Sequence, residues 1–272
     1  RLMTSSSSPG ISLKMEGISY IASAELPCVI VNVMRGGPGL GGILPSQSDY
    51  FQATKGGGHG DYRLLVLAPS TVQETVDIVI EAFDLADKYR NPVMVLADGY
   101  IGQMMEPVEF KKKPRPELPE KDWAITGAKG RPRNLIKTLY LNPEELEKHN
   151  LKLHRKYQEM AKNEVRVEKY LTEDAEIIIA AYGTTARIAK TAVKILREKG
   201  IKTGLLRPIT LFPFPYQSFK EIAKKVANIL VVEMNMGQML EDVKLAVCDK
   251  AKVHFCLLYT SDAADEGLGV DL

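Results

Sequence analysis

Cysteine, histidine and tryptophan are scarce in this chain, at three, four and one of its 272 residues. Cys28, Cys248 and Cys256 stand far apart, in no metal-ligand spacing and no even set of disulfide partners, which argues against a thiolate metal centre and for a reducing, cytoplasmic compartment. Cys28 lies in an apolar run and reads as a small buried hydrophobe. No apolar stretch approaches the roughly 20 residues of a membrane span, and the first residues do not read as a secretory signal. Charge is nearly balanced at +2, and no basic stripe with interleaved aromatics gives the footprint of a nucleic-acid binder. What remains is a chain with 45% apolar residues, long enough to bury about two cores.

Glycine, by contrast, is concentrated in one place. The apolar run Val29-Ile-Val-Asn-Val-Met34 leads straight into Arg35, then into Gly36-Gly-Pro-Gly-Leu-Gly-Gly42 and Ile43-Leu-Pro-Ser46, and a second cluster follows at Lys55-Gly-Gly-Gly-His-Gly-Asp61. Ligands of open α/β sheets bind outside the carboxyl ends of the strands, so Arg35 stands where a small anion would sit. Glycines let a backbone approach such a ligand closely and take positive φ. A planar guanidinium meets a carboxylate through two parallel hydrogen bonds, which fixes orientation as well as affinity. The competing role is a loop clamp, with Arg35 paired to an acid such as Asp49 or Asp61.

The same loop spells Gly37-x-Gly39-x-x-Gly42, the dinucleotide fingerprint. That motif needs its third glycine to open a crossover helix and an acid at the end of the next strand. Here Pro45 follows almost at once, Ser46 to Thr54 offers about two helical turns at most, and the strand Leu64–Ala68 ends in Pro69-Ser70. Two other classes thus stand beside an anion-binding enzyme: a nicotinamide-dependent oxidoreductase, and a noncatalytic α/β interaction subunit whose glycines form a plain lid.

The rest of the chain alternates strands with helices. Ser7 and Ser8 precede Pro9-Gly10 and a helix with Ile11, Met15, Ile18 and Ile21 on its apolar side; their hydroxyls either face a ligand or cap that helix. Ser70-Thr71 with Glu74 is a capping-box start for a helix to about Tyr89, and Pro92–Asp98 is the next strand, closing a βαβ unit with parallel pairing. Asp98-Gly99 reads as a turn. Residues 109–141 are rich in proline and charge and form a semi-rigid linker. Asn142-Pro143-Glu-Glu opens a helix that should run through Tyr157 toward Tyr170, with His149 and His154 on its charged surface. Glu176–Gly183, Lys202–Leu206 and Asn228–Glu233 are strands, with helices from Thr184 and from Tyr216 to Ala227 between them, which makes a second parallel unit. Gly183-Thr184-Thr185 reads as an ordinary helix cap. The fold class is α/β, with two parallel-sheet domains at 1–108 and 142–255.

Thr4-Ser-Ser-Ser-Ser-Pro-Gly10, Glu25-Leu-Pro27, Asn32-Val-Met-Arg-Gly-Gly-Pro38 and the run from Asp49 to Asp61 resemble the pyrimidine-domain subunit of the thiamine-diphosphate-dependent 2-oxoacid:ferredoxin oxidoreductases, the branched-chain (3-methyl-2-oxobutanoate) type above all. The resemblance covers Arg1 to about Phe255. It implies a pyrimidine-type domain, truncated at its start, followed by a transketolase C-terminal-like domain. It places Arg35, with Gly36 and Gly37, on the substrate carboxylate, and Ser7 and Ser8 toward the thiamine diphosphate. It implies coenzyme A as acyl acceptor, ferredoxin as electron acceptor, and a partner subunit holding Mg2+ and a [4Fe–4S] cluster. This chain shows neither the Gly-Asp-Gly with a distant Asn that holds the diphosphate in thiamine enzymes nor a cysteine cluster. Pyruvate and 2-oxoglutarate are alternative substrates, because every 2-oxoacid carries the carboxylate; the apolar Leu40, Ile43 and Leu44 suit a branched aliphatic chain. Cys256–Leu272 has no counterpart in the family and resembles a translated sequencing adapter. It holds four acids and no lysine or arginine, so without it the charge of +2 becomes +6.

Overall fold

Two five-stranded sheets, each parallel but for one edge strand, meet at their carboxyl edges in the computed structural model, which describes residues 1–111 and 116–258. In the first sheet, β1 (Met3–Ser6), β2 (Cys28–Met34), β3 (Leu65–Leu67) and β4 (Pro92–Asp98) run parallel in the order β1-β2-β4-β3. All of β4 is buried, which suits an interior parallel strand covered on both faces and explains its unbroken apolar sequence. Helix α1 (Ser8–Ser23) turns Ile11, Met15, Ile18 and Ala22 inward. Between β2 and β3 lies only the short α2 (Tyr50–Thr54), so no crossover helix follows the glycine loop.

Helix α3 (Val72–Tyr89) begins at the predicted cap, Thr71, with the glutamate returning one residue before it. The Thr71 hydroxyl accepts from the Glu74 N–H at 3.1 Å, and the Glu74 carboxylate takes the Ser70 N–H at 2.7 Å. It is followed by β4 and the short α4 (Gly99–Gln103). The described part of 104–141 contains neither helix nor strand.

The second sheet has the order β10 (Lys252–Leu257), β9 (Asn228–Glu233), β6 (Ile177–Ala180), β7 (Thr203–Pro208) and β5 (Val167–Tyr170). Helix α5 (Pro143–Asn163) is capped by Asn142, as its sequence predicts, but stops well short of Tyr170. Glu164 leaves the helix because its carboxylate is held by Lys88 at 2.7 Å and by the Tyr89 hydroxyl at 2.6 Å. The residues after it then form β5 (Val167–Tyr170), antiparallel to β7 (Thr203–Pro208). Strands β6 (Ile177–Ala180) and β9 (Asn228–Glu233), with helix α6 (Gly183–Glu198) between β6 and β7, complete the core of this layer. Strand β8 (Thr210–Phe212) crosses back and pairs antiparallel with β3, at the edge of the first sheet. Helix α7 (Tyr216–Ile222) is shorter than its predicted span to Ala227. Helix α8 (Gln238–Val247) precedes β10 (Lys252–Leu257), in which Cys256 and Leu257 pair with Val232 and Glu233. The remainder of the segment read as foreign, from residue 259 onward, lies outside the described residues.

Candidate functional site

Arg35 follows the last residue of β2, so the strand aims its guanidinium at the carboxyl edge of the first sheet. Ser7 and Ser8 follow β1, the neighbouring parallel strand, and arrive at the same edge. The register brings the three together. The Ser8 hydroxyl is buried against the Arg35 backbone, facing its N–H at 3.1 Å and its carbonyl at 3.3 Å. The Ser7 hydroxyl accepts from Arg35 Nε at 3.2 Å. It forms no cap bond with α1, although Ser7 occupies the N-cap position, and it donates to no acceptor among the described residues.

The glycine loop closes on the same guanidinium. Arg35 Nη1 donates to the carbonyls of Leu40 at 2.5 Å and Gly42 at 2.8 Å. No carboxylate of the described residues meets Arg35; Asp49 instead accepts from Asn32 Nδ2 at 2.9 Å. Arg35 therefore does hold the loop, through backbone oxygens rather than through an acid. Gly36 and Gly37 begin the loop directly behind it. Gly41 has φ +61°, and a Cβ there would lie 1.9 Å from the Gly36 oxygen, so only glycine permits the Gly42 N–H to reach that oxygen at 2.9 Å. The tip of the loop is apolar and open: Leu40 and Ile43 are 84% and 86% exposed.

The far end of the loop is anchored in the second sheet, a feature that sequence reading missed. Gln47 is fully buried. Its Nε2 donates to the Tyr182 carbonyl at 2.9 Å, and its Oε1 accepts from the Met234 N–H at 3.0 Å and the Thr185 hydroxyl at 3.3 Å. Its backbone carbonyl accepts from the Tyr182 hydroxyl at 3.1 Å and Asn235 Nδ2 at 2.9 Å. Each of these groups stands at the carboxyl end of β6 or β9. The loop is thus strung between two sheets, with Arg35 at one end and Gln47 at the other. A lone glutamine between two serines carries no sequence signal for such a role.

Asp98 and the Gly183-Thr184-Thr185 turn, read separately from sequence, are partners. The Asp98 carboxylate caps α4 through the N–H groups of Tyr100 and Ile101 and accepts from the Thr184 hydroxyl at 2.9 Å. The anion at the N-terminus of α6 is therefore an internal side chain, and burial holds the Asp98 pKa above its ordinary value. Glu233, at the end of β9, caps α8 in the same manner through the N–H groups of Met239 and Leu240. Burial pushes its pKa up to about 6. His149 and His154 do not converge: His149 meets the Ser23 carbonyl at 2.9 Å, and His154 meets Gln158. Among the described residues no three His, Cys, Asp or Glu side chains are grouped to hold a metal ion, and no helix is long and apolar enough to cross a membrane.

Residues 1–172 match the family described as pyruvate flavodoxin/ferredoxin oxidoreductase, thiamine diphosphate-binding, and residues 175–261 match pyruvate:ferredoxin oxidoreductase core domain II. The chain is 54% identical over 246 residues to the ketoisovalerate oxidoreductase subunit VorB of Methanothermobacter marburgensis, covering 90% of this chain and 70% of that protein. It is 37% identical over 283 residues to the 2-oxoglutarate synthase subunit KorA of Methanothermobacter thermautotrophicus, covering 93% and 74%. Among solved structures, the 2-oxoglutarate:ferredoxin oxidoreductase of Magnetococcus marinus shares the fold, with a TM-score of 0.76 at 24% identity over 94% of this chain and 50% of that one.

Proposed function

The chain belongs to the pyruvate flavodoxin/ferredoxin oxidoreductase family, and from that premise we propose that it is one subunit of a ferredoxin-dependent oxidoreductase that decarboxylates a branched-chain 2-oxoacid to its acyl-CoA. The observation that carries the reading is Arg35. A guanidinium at a strand's carboxyl edge, with no acid opposite it among the described residues, is a charge awaiting an anion. The substrate's carboxylate supplies it. The preference for a branched aliphatic acid rests on the exposed apolar loop tip of Leu40, Ile43 and Leu44, and on 54% identity to a ketoisovalerate enzyme subunit against 37% to a 2-oxoglutarate one.

The residues present fit the substrate end of a thiamine site. One cation, two hydroxyls and a glycine loop suit a carboxylate. Thiamine diphosphate, when bound, supplies the electron sink; this chain's residues orient the acid beside it. Arg35 takes the carboxylate, Gly36 and Gly37 let it approach the backbone, Ser7 and Ser8 stand where substrate and cofactor meet, and the loop that Arg35 holds through Leu40 and Gly42 borders the bound acid. Partner subunits bring the Mg2+ and diphosphate site and a [4Fe–4S] cluster, ferredoxin takes the electrons, and coenzyme A takes the acyl group. The division at 1–108, 109–141 and 142–255 and a cytoplasmic setting, with the cysteines free, complete the reading.

Arg35→Ala in the complete assembly tests it. Removing charge-assisted hydrogen bonds worth about 1.5–3 kcal/mol should lower kcat/KM for 2-oxoisovalerate roughly 10- to 150-fold. The uncharged methyl ester should lose far less. Equal loss on acid and ester would reduce Arg35 to a loop clamp.

A further inference from the structure

The hydrogen-bond inventory of Arg35 restricts how it can hold a carboxylate. A guanidinium has five N–H groups. Both on Nη1 are spent on the loop carbonyls of Leu40 and Gly42, and the one on Nε is spent on the Ser7 hydroxyl. Only Nη2 is without a partner among the described residues. A carboxylate that took the conventional two-nitrogen fork would have to expel either a loop carbonyl or Ser7. Expelling a loop carbonyl would release the glycine loop from the arginine that holds it.

The geometry points to a different receptor, in which Ser7 is a substrate-binding residue and the Ser7 hydroxyl replaces one tine of the fork. Arg35 Nε–H donates to Ser7 Oγ, Ser7 O–H donates to one carboxylate oxygen, and Arg35 Nη2 donates to the other. Nothing in the closed loop moves. Three features of the serine fit this role. Its oxygen already accepts from a cation, which polarises the O–H and strengthens it as a donor. Its proton has no acceptor among the described residues. Its side chain is also withheld from the capping bond that an N-cap serine ordinarily makes. The loop carbonyls gain a function too: by holding Nη1 they stop the guanidinium from turning, so the composite fork is set before substrate arrives.

This inference rests on the 2-oxoacid reading and assigns Ser7 to the substrate carboxylate rather than to the cofactor. The two fail separately. In the co-expressed assembly, Ser7→Ala removes one tine and leaves Nε–H recessed behind it, so the acid binds displaced. The expected result is a fall of about 10-fold or more in kcat/KM for 2-oxoisovalerate, with kcat reduced as well as KM raised. The Kd for thiamine diphosphate and the melting temperature of the assembly should be unchanged. Ser7→Thr, which keeps the hydroxyl, should restore most of the loss, and the methyl ester should be nearly insensitive to either variant. Weakened thiamine diphosphate binding with normal substrate kinetics would assign Ser7 to the cofactor and overturn the inference, as would full activity of Ser7→Ala. In both cases the oxidoreductase reading would stand. A wild-type assembly inert toward every 2-oxoacid would remove both.

Discussion

Replacing Gln47 by alanine should cost about 2–4 kcal/mol of stability, although no charge and no large apolar group is lost. The backbone bonds of residue 47 survive the change, and the Tyr182 carbonyl keeps the Thr185 hydroxyl at 2.6 Å. The Met234 N–H, buried and bonded at 3.0 Å to Gln47 Oε1, is left without an acceptor. An orphaned buried donor costs about 1–3 kcal/mol, and the void left by the amide adds about 1 kcal/mol more. Urea unfolding of the full chain, with the slope of the transition monitored for constancy, measures the sum. Gln47→Glu sharpens the argument because it preserves shape while setting an oxygen against the Tyr182 carbonyl. A buried carboxylate in that position holds its proton, since the neutral acid can donate to the carbonyl and the anion cannot. Its folded-state pKa is then raised, so the deficit of this variant should be small in acid and grow as pH rises through that value. A cost below about 1 kcal/mol for the alanine variant, or a glutamate deficit indifferent to pH, would show that Gln47 does not tie the loop to the second sheet.

Two further outcomes follow from the same contacts. Glu233 holds its proton up to about pH 6 when folded against 4.5 as its ordinary value, so its contribution grows as pH falls from neutrality toward 4.5, by about 2 kcal/mol; unfolding free energies between pH 4.5 and 7 should lose that share of their slope in Glu233→Gln. Gly41→Ala should leave the melting temperature nearly intact but break the Gly36–Gly42 closure, because the new methyl would overlap the Gly36 oxygen, and limited proteolysis should then cut between Leu40 and Leu44 much faster than in the parent chain.

The elements that sequence patterns located well are those whose signals are local. Pro92–Asp98 is continuously apolar and lies in the sheet interior, Thr71 and Glu74 form the cap their spacing announces, and Asn142-Pro143 opens α5 as written. What escaped is what depends on distant partners. The helical pattern after Tyr157 is broken by Glu164, whose carboxylate is drawn away by Lys88 and Tyr89 more than seventy residues earlier in the chain. Strand β8 reads as part of the second half, yet pairs with β3. Taken singly, Asp98 reads as an ordinary turn residue and Thr184 as an ordinary cap; their bond across two domains has no trace in either local sequence. At the site, Arg35 stood out because charge at a strand end is conspicuous. Gln47 did not, since a buried amide is satisfied only by groups that the fold brings to it.

The most direct measurement is substrate-dependent reduction of ferredoxin, or of a viologen dye in its place, by this chain co-expressed with its partner subunits in the presence of thiamine diphosphate, Mg2+ and coenzyme A. Reduction should be faster with 2-oxoisovalerate than with 2-oxoglutarate or pyruvate, and absent when this chain is assayed alone. Preference for 2-oxoglutarate would contradict the branched-chain assignment, and turnover by the isolated chain would contradict a site completed by a partner.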